Sequence, residues 1–231
     1  MPPFAIILFG LLALAAAGWL LHWLLIRTEG VFLGRRIVVW LYDLAADRYD
    51  GIKQFDSDTE SAFVTWPLRR RLKGFPAPLV LDVATGTGRL PFFLLQEPEF
   101  NGRVVGLDAS AGMLARARDK LAPFGDRAAL VQQSALDLPF DDATFAAVTC
   151  LEALEFLPDD AAALREMARV LRPGGVLLVS RRQGSDAPYF LGHTRDREAF
   201  EALLAGMGFA DVRSQPWQVE YELVWATREE E

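Results

Sequence analysis

Residues 79–90 read LVLDVATGTGRL, an apolar run that ends in an acid and breaks into threonines and glycines. Leu79–Val83 has the length and composition of a buried strand. The residues after Val83 cannot extend it. Gly86 and Gly88 lack a Cβ, so the backbone there can turn tightly and approach a ligand. Arg89 then opens a helical stretch, RLPFFLLQE. A strand, a glycine turn and a helix form a nucleotide-binding unit, but two common versions fail. A phosphate loop ends in Lys followed by Ser or Thr, and no such pair is present. A dinucleotide fingerprint needs a small residue at position 91, where Pro91 stands. Asp108 closes the next strand, twenty residues beyond Gly88. A carboxylate there can accept from both hydroxyls of a ribose. A loop without phosphate chemistry beside a ribose acid suggests an adenosine that carries no pyrophosphate.

Working outward, strand and helix signals alternate. RVVGLD (103–108), AALVQQ, TFAAVTCL and GVLLVS read as further strands. Between them lie helical patterns, one capped by Ser110 and another opened by Pro158-Asp159-Asp160. REAFEALLAGMGF reads as a helix closed by Gly206 and Gly208. VEYELVW alternates, with Val219, Tyr221, Leu223 and Trp225 on one side, as a strand near a sheet edge does. Repeated strand–helix units predict an α/β fold, a doubly wound and mostly parallel sheet with ligands at the strands' C-terminal ends.

The 231 residues exceed one ordinary domain, and the excess is N-terminal. Phe4–Ile26 holds no Asp, Glu, Lys or Arg, and about 20 apolar residues span a bilayer as a helix. A cleaved signal peptide would have a basic start and end near Ala15-Ala16-Ala17. This run starts Met-Pro-Pro and continues through Trp19 and Trp23, which favours an uncleaved anchor. Arg27, Arg35 and Arg36 lie after the run and no basic residue precedes it, so the positive-inside bias predicts a single pass with everything C-terminal in the cytoplasm. The expected organisation is an anchor over 1–28, a helical, pocket-covering linker over 29–74 and a binding domain over 75–231. In the linker Ile37, Trp40, Leu41 and Leu44 share a helical face, suited to packing on the domain or lying on a membrane. The net charge of −7 argues against nucleic-acid partners, and Arg69-Arg70-Arg71 reads as a solvated helix face.

Four pieces in this order, VLDVATGTGR, VVGLDAS, LDLPFDDATFAAVTCLEALEFLPD and RVLRPGGVLLVSRR, resemble the class I S-adenosylmethionine-dependent methyltransferases. The resemblance covers about residues 42–226. The Asp-Val-Ala-Thr-Gly-Thr-Gly loop and LYDLAADRYD are similar to the quinone-pathway C-methyltransferases. The resemblance implies a Rossmann-like, seven-stranded sheet with one antiparallel strand. It implies S-adenosylmethionine as cofactor, with Asp82, Ala84, Gly86 and Gly88 at its amino-acid end and Thr85 and Thr87 in the same loop. It further implies Asp108 on the ribose, Ala109 and Met113 beside the adenine, Ser134 and Ala135 at its edge, Leu151 and Glu152 facing cofactor and acceptor, and Tyr49 closing the pocket. Two positions depart from the pattern. Ser134 stands where the family commonly has an acid, with Asp137 as a candidate substitute, and Ala146 replaces an Asp.

Methyl transfer needs alignment more than acid–base groups, and a base only where the acceptor loses a proton. Glu152 is the first candidate for that role and Glu155 a weaker one; His193, in an acceptor-type loop with Tyr189 and Phe190, is another. Each has an ordinary alternative, Glu152 as a cofactor contact and His193 as a loop residue beside the helix caps Thr194 and Asp196. Two histidines and one cysteine make no zinc set. Cys150 reads as a buried strand residue. The expected activity is methylation of a small or lipophilic acceptor by a membrane-tethered enzyme. The alternatives are a tethered binding module without catalysis and a nucleotide-dependent reductase.

Overall fold

The structure, a computed structural model, describes residues 2–53 and 56–230. Seven strands form one sheet: β1 (Leu79–Val83), β2 (Arg103–Asp108), β3 (Ala128–Gln132), β4 (Phe145–Cys150), β5 (Leu171–Arg182), β6 (Phe209–Pro216) and β7 (Tyr221–Arg228). Their order is β3-β2-β1-β4-β5-β7-β6. Only β7 runs against the rest, antiparallel to both β5 and β6. The order reverses between β1 and β4, which puts a crevice at their C-terminal ends.

Helices cover both faces. On one lie α5 (Trp66–Arg71), α6 (Arg89–Gln96) and α7 (Ala111–Leu121), through Leu68, Leu90, Leu94, Ala117 and Leu121. On the other lie α8 (Asp160–Val170) and α9 (Arg197–Ala205), through Leu164, Met167, Phe200 and Leu204. Strands with helices on both faces must be apolar on both, and all six residues of β4 are buried. Ala146 is among them, inside the core against the α5–α7 layer. Caps set the helix starts. The Ser110 hydroxyl accepts from the Met113 N–H at 3.0 Å, Asp159 from Ala162 at 2.8 Å and Asp196 from Ala199 at 2.7 Å. Thr194 caps nothing; its hydroxyl donates to the Ala187 carbonyl.

The sheet differs from the strand reading in one place. VEYELVW is not at the edge: β7 lies between β5 and β6, and β6 is the edge strand. Val219 lies outside β7 and is exposed. Burial on both sides explains why six consecutive residues of β7 are buried instead of alternating.

The N-terminal helix α1 (Pro3–His22) continues as a wider turn over Trp23–Arg27. Together they are long and apolar enough to cross a membrane, and no residue of either is buried. Between this helix and the sheet lie α2 (Arg35–Ala45), α3 (Tyr49–Lys53) and α4 (Ser57–Glu60). Helix α2 packs on α7 and over the crevice. Asp43 accepts from the Ser110 hydroxyl at 2.5 Å and from the Gly112 N–H at 2.9 Å, at the N-terminus of α7.

Candidate active site

Three strand ends build a cleft of about 110 Å³ at the reversal point, where α/β sheets place their ligands. The loop after β1 contributes Ala84 and Gly86, β2 contributes Leu107 and Asp108, and the turn after β4 contributes Leu151 and Glu152. Ala109, Ser134 and Ala135 line one wall; Tyr49 and α2, through Arg35, Val38 and Tyr42, cover the cleft.

The two loop glycines do different work. Gly86 has φ +55°, and a Cβ there would project into open space. Its N–H donates to Asp108 Oδ2 at 2.8 Å, which pins the loop to the end of β2. Gly88 has φ +79°, but a Cβ there would lie 3.2 Å from both Ala117 and Leu121 of α7. Gly88 therefore serves helix packing and does not line the cleft. Ala84 also takes a left-handed φ of +54°, which costs a residue with a Cβ roughly 1–2 kcal/mol.

Asp82 stands behind the loop. It is buried and accepts from Thr149 and Thr85 hydroxyls, each at 2.6 Å. Burial pushes its pKa up to about 6, against the opposing pull of the two hydroxyls. Asp82, Thr85 and Met113 thus support the cleft without lining it. Thr87 is buried and turned away from the cleft: its hydroxyl donates to Asp50 at 2.5 Å and accepts from Lys120 at 3.0 Å. Asp108 accepts from the Gly86 and Ser110 amides, each at 2.8 Å, and burial raises its pKa. A carboxylate has about four lone-pair sites, so it retains capacity for ligand hydroxyls.

Glu152 has a left-handed φ of +54°. Its amide donates to the Ser180 hydroxyl at 2.6 Å. Its carboxylate accepts from Arg89 and Lys53, each at 2.8 Å, and from Gln218 at 3.1 Å. Burial alone would raise its pKa, but Arg89 and Lys53 overcome that and hold it at about 2. A carboxylate this acidic is a weak proton acceptor at neutral pH. Glu155 is buried beneath, paired with Arg182 at 3.0 Å and with the Tyr221 hydroxyl.

A second cavity of about 370 Å³ shares Tyr42, Glu152 and Phe156 with the first and adds Glu29, Lys53, Arg182, Gln218, Glu220 and Tyr221. Burial first, and neighbouring carboxylates second, raise the pKa values of Tyr42 and Tyr221, so both stay protonated donors.

Sequence reasoning missed Arg35, Val38, Tyr42, Gln133 and Phe156 in the first cleft. The structure does not bring His193 to either of these cavities. His193 lies edge-on to Phe32 at 5.7 Å, in a depression formed with Thr194 and Arg195. Asp137 is exposed and outside the cleft; Gln133 stands beside Ser134 instead. Among the described residues no group of acids, histidines and cysteine is arranged to hold a metal ion.

Residues 80–175 match the methyltransferase domain family. Demethylmenaquinone methyltransferase of Lactiplantibacillus plantarum is 42% identical over 111 residues, 47% of each chain. Residues 80–175 of the chain are thus a methyltransferase domain. The ubiquinone/menaquinone biosynthesis C-methyltransferase UbiE of Hahella chejuensis is 46% identical to it over 104 residues, 43% of this chain and 41% of that one. The chain thus spans about half the length of these curated relatives. Among solved structures, magnesium protoporphyrin IX methyltransferase of Synechocystis with bound S-adenosylmethionine superposes with a TM-score of 0.59 at 22% identity, over 75% of this chain and 79% of that one. The cyclase SpnF superposes with 0.69 at 17% identity, over 83% and 95%. At such identities the methyltransferase domain shares a fold with both, and the cyclase is a reminder that this fold hosts other chemistry.

Proposed function

We propose that this chain is a membrane-anchored methyltransferase that methylates a lipophilic, quinol-type ring. The observation that carries the reading is the pair of adjoining cavities: a cleft opened by Gly86 and floored by Asp108, next to a polar cavity across Tyr42, Glu152 and Phe156. Relatives named for demethylmenaquinone and ubiquinone methylation support the ring as acceptor. S-adenosylmethionine, when bound, supplies an electrophilic methyl group.

The chain's own residues bind, orient and exclude water. Asp108 accepts from the ribose hydroxyls. Ala109, Ala135, Ser134 and Gln133 surround the adenine, while Ala84, Gly86 and Leu151 leave space for the methionine end. Asp82, Thr85, Gly88 and Met113 hold those residues from behind. Tyr49 and Tyr42 close the cleft. Glu152 stays anionic, and with Arg89 and Lys53 it fixes the wall between the cavities. Where the ring must lose a proton, Glu220 is better placed to take it than Glu152, because no side chain among the described residues donates to the Glu220 carboxylate. The organisation is then anchor (1–28), pocket-covering linker (29–74) and methyltransferase domain (75–231), with the domain on the cytoplasmic side.

The test is methyl transfer by the full chain in lipid nanodiscs, with methyl-labelled cofactor and a membrane lipid extract. Label in a quinol-like lipid is the expected result. S-adenosylhomocysteine binding with no labelled product from any acceptor pool would favour a binding module, and NADH binding in its place would favour a reductase. Asp108→Asn should weaken S-adenosylhomocysteine binding by about 1.5–3 kcal/mol in calorimetry, the range of hydrogen bonds to charged groups. An unchanged affinity would remove Asp108 from the ribose.

A further inference from the structure

The apolar helix does not leave the domain on a loose tether. The Thr28 side chain is buried, and its hydroxyl donates to the Trp23 and Leu24 carbonyls, each at 3.2 Å. Glu29 and Gly30 take left-handed φ values of +48° and +77°, and the Gly30 N–H returns to the Leu24 carbonyl at 2.8 Å. The chain therefore doubles back, and Phe32 stacks on Trp23 with ring centres 5.2 Å apart and planes 11° apart. The segment after β5 joins this corner. Arg27 bonds Asp186 at 2.9 Å and lies 5.0 Å over the Tyr189 ring, and His193 meets Phe32.

This corner carries large apolar side chains in solvent. Ile26 is 64% exposed, Leu33 42% and Leu191 69%, with Phe32 and Tyr189 among them. Exposed Arg35 and Arg36 come directly after and make no ion pair among the described residues. Trp23 belongs to the last turn of the apolar span, so a ring stacked on it lies within about one helical turn, ~5.4 Å, of its depth. Apolar groups with adjacent arginines at that depth match the boundary between acyl chains and anionic headgroups.

We propose that this corner of the domain, from Ile26 through Leu33 together with Leu191, is seated in the headgroup layer of the bilayer that the apolar helix enters. The inference rests on the membrane-anchored reading above. Its consequence is a route for the acceptor. Glu29 sits in the same corner and lines the second cavity, where it accepts from the Tyr42 hydroxyl at 2.8 Å. A lipophilic molecule can then pass from the bilayer to that cavity without crossing water.

Labelled cysteines test this in the full chain. The native Cys150 is wholly buried and raised in pKa, so it does not compete for the label. An environment-sensitive fluorophore is placed at Leu33→Cys, Leu191→Cys, Leu14→Cys inside the span, and Asp141→Cys at the opposite end of the sheet. The variants are reconstituted in phosphatidylethanolamine–phosphatidylglycerol vesicles with a quencher on the acyl chain. Blue-shifted, quenched emission at 14, 33 and 191, with water-like emission at 141, is the expected pattern. Water-like emission at 33 and 191 with quenching at 14 would overturn the seated corner and leave the anchor standing. Water-like emission at 14 as well would overturn both. S-adenosylhomocysteine binding by the same variants reports independently on the methyltransferase site.

Discussion

At the scale of single residues, Gly86 and Gly88 look equivalent in sequence and are not. Gly86 faces open space, whereas Gly88 is pressed against Ala117 and Leu121. Gly86→Ala should cost stability only the left-handed strain, roughly 1 kcal/mol, while S-adenosylhomocysteine binding falls at least about tenfold. Gly88→Ala should do the reverse, destabilising by about 1–3 kcal/mol through overpacking with binding largely kept in the folded fraction. Thermal unfolding beside calorimetry separates the two, and identical profiles would refute the division. The sequence could not show the difference, because the crowding atoms come from a helix about thirty residues further on. Asp82 makes a second residue-scale prediction. Its folded-state pKa of about 6 lies above the ordinary 3.8, so the folded state holds the proton more tightly. Stability should then fall by up to about 3 kcal/mol as pH rises from about 4 to 6, and stay level above. Glu152 acts in the opposite sense in a lower window: held at about 2 against an ordinary 4.5, it adds stability that is lost as pH falls through that range. Denaturant midpoints from pH 4 to 7 should lose part of their downward slope in Asp82→Asn, the rest belonging to other buried carboxyls such as Asp108; an unchanged slope would assign all of it elsewhere.

Among elements, the sheet is largely legible in the sequence and its cover is not. β1, β2 and β4 are local apolar runs, and a run reports its own burial. The FADVRSQP strand, β6, carries charged residues because it is the edge, and so resembles a loop. Once β6 takes the edge, β7 is interior, which its alternating start conceals. The spacing of α2 reads as amphipathic, but what holds the helix over the cleft is one long-range acid. Asp43 bonds Ser110 and Gly112 at the positive N-terminus of α7, a favourable place for a carboxylate. Asp43→Ala should therefore free α2 at a cost of about 1 kcal/mol. Hydrogen exchange over 35–45 should quicken while β1 and β4 stay protected, and S-adenosylhomocysteine should bind more weakly. Unchanged exchange over α2 would mean that packing, not Asp43, holds the cover.

For the molecule as a whole, the two buried cores close on both faces of the sheet and leave α1 without a buried residue among the described ones. An apolar helix of this length exposed to water would carry a large uncompensated cost, which the membrane-anchored reading proposed above removes. In that reading, the flanking charge sets the sidedness. Arg27, Arg35 and Arg36 lie just after the span. Each arginine near a helix end resists translocation, so the domain is expected to stay on the cytoplasmic side. In inside-out membrane vesicles, added protease should reach the domain, with cleavage in exposed loops such as the one around Asp141. In right-side-out vesicles the domain should be protected until detergent is added. Replacing Arg35 and Arg36 with Gln while adding two lysines after Met1 should shift a measurable fraction of chains to the opposite orientation, since it reverses the charge bias across the span. Protection in the inside-out vesicles would reverse the assigned topology, and would put the cleft on the side away from the cytoplasm.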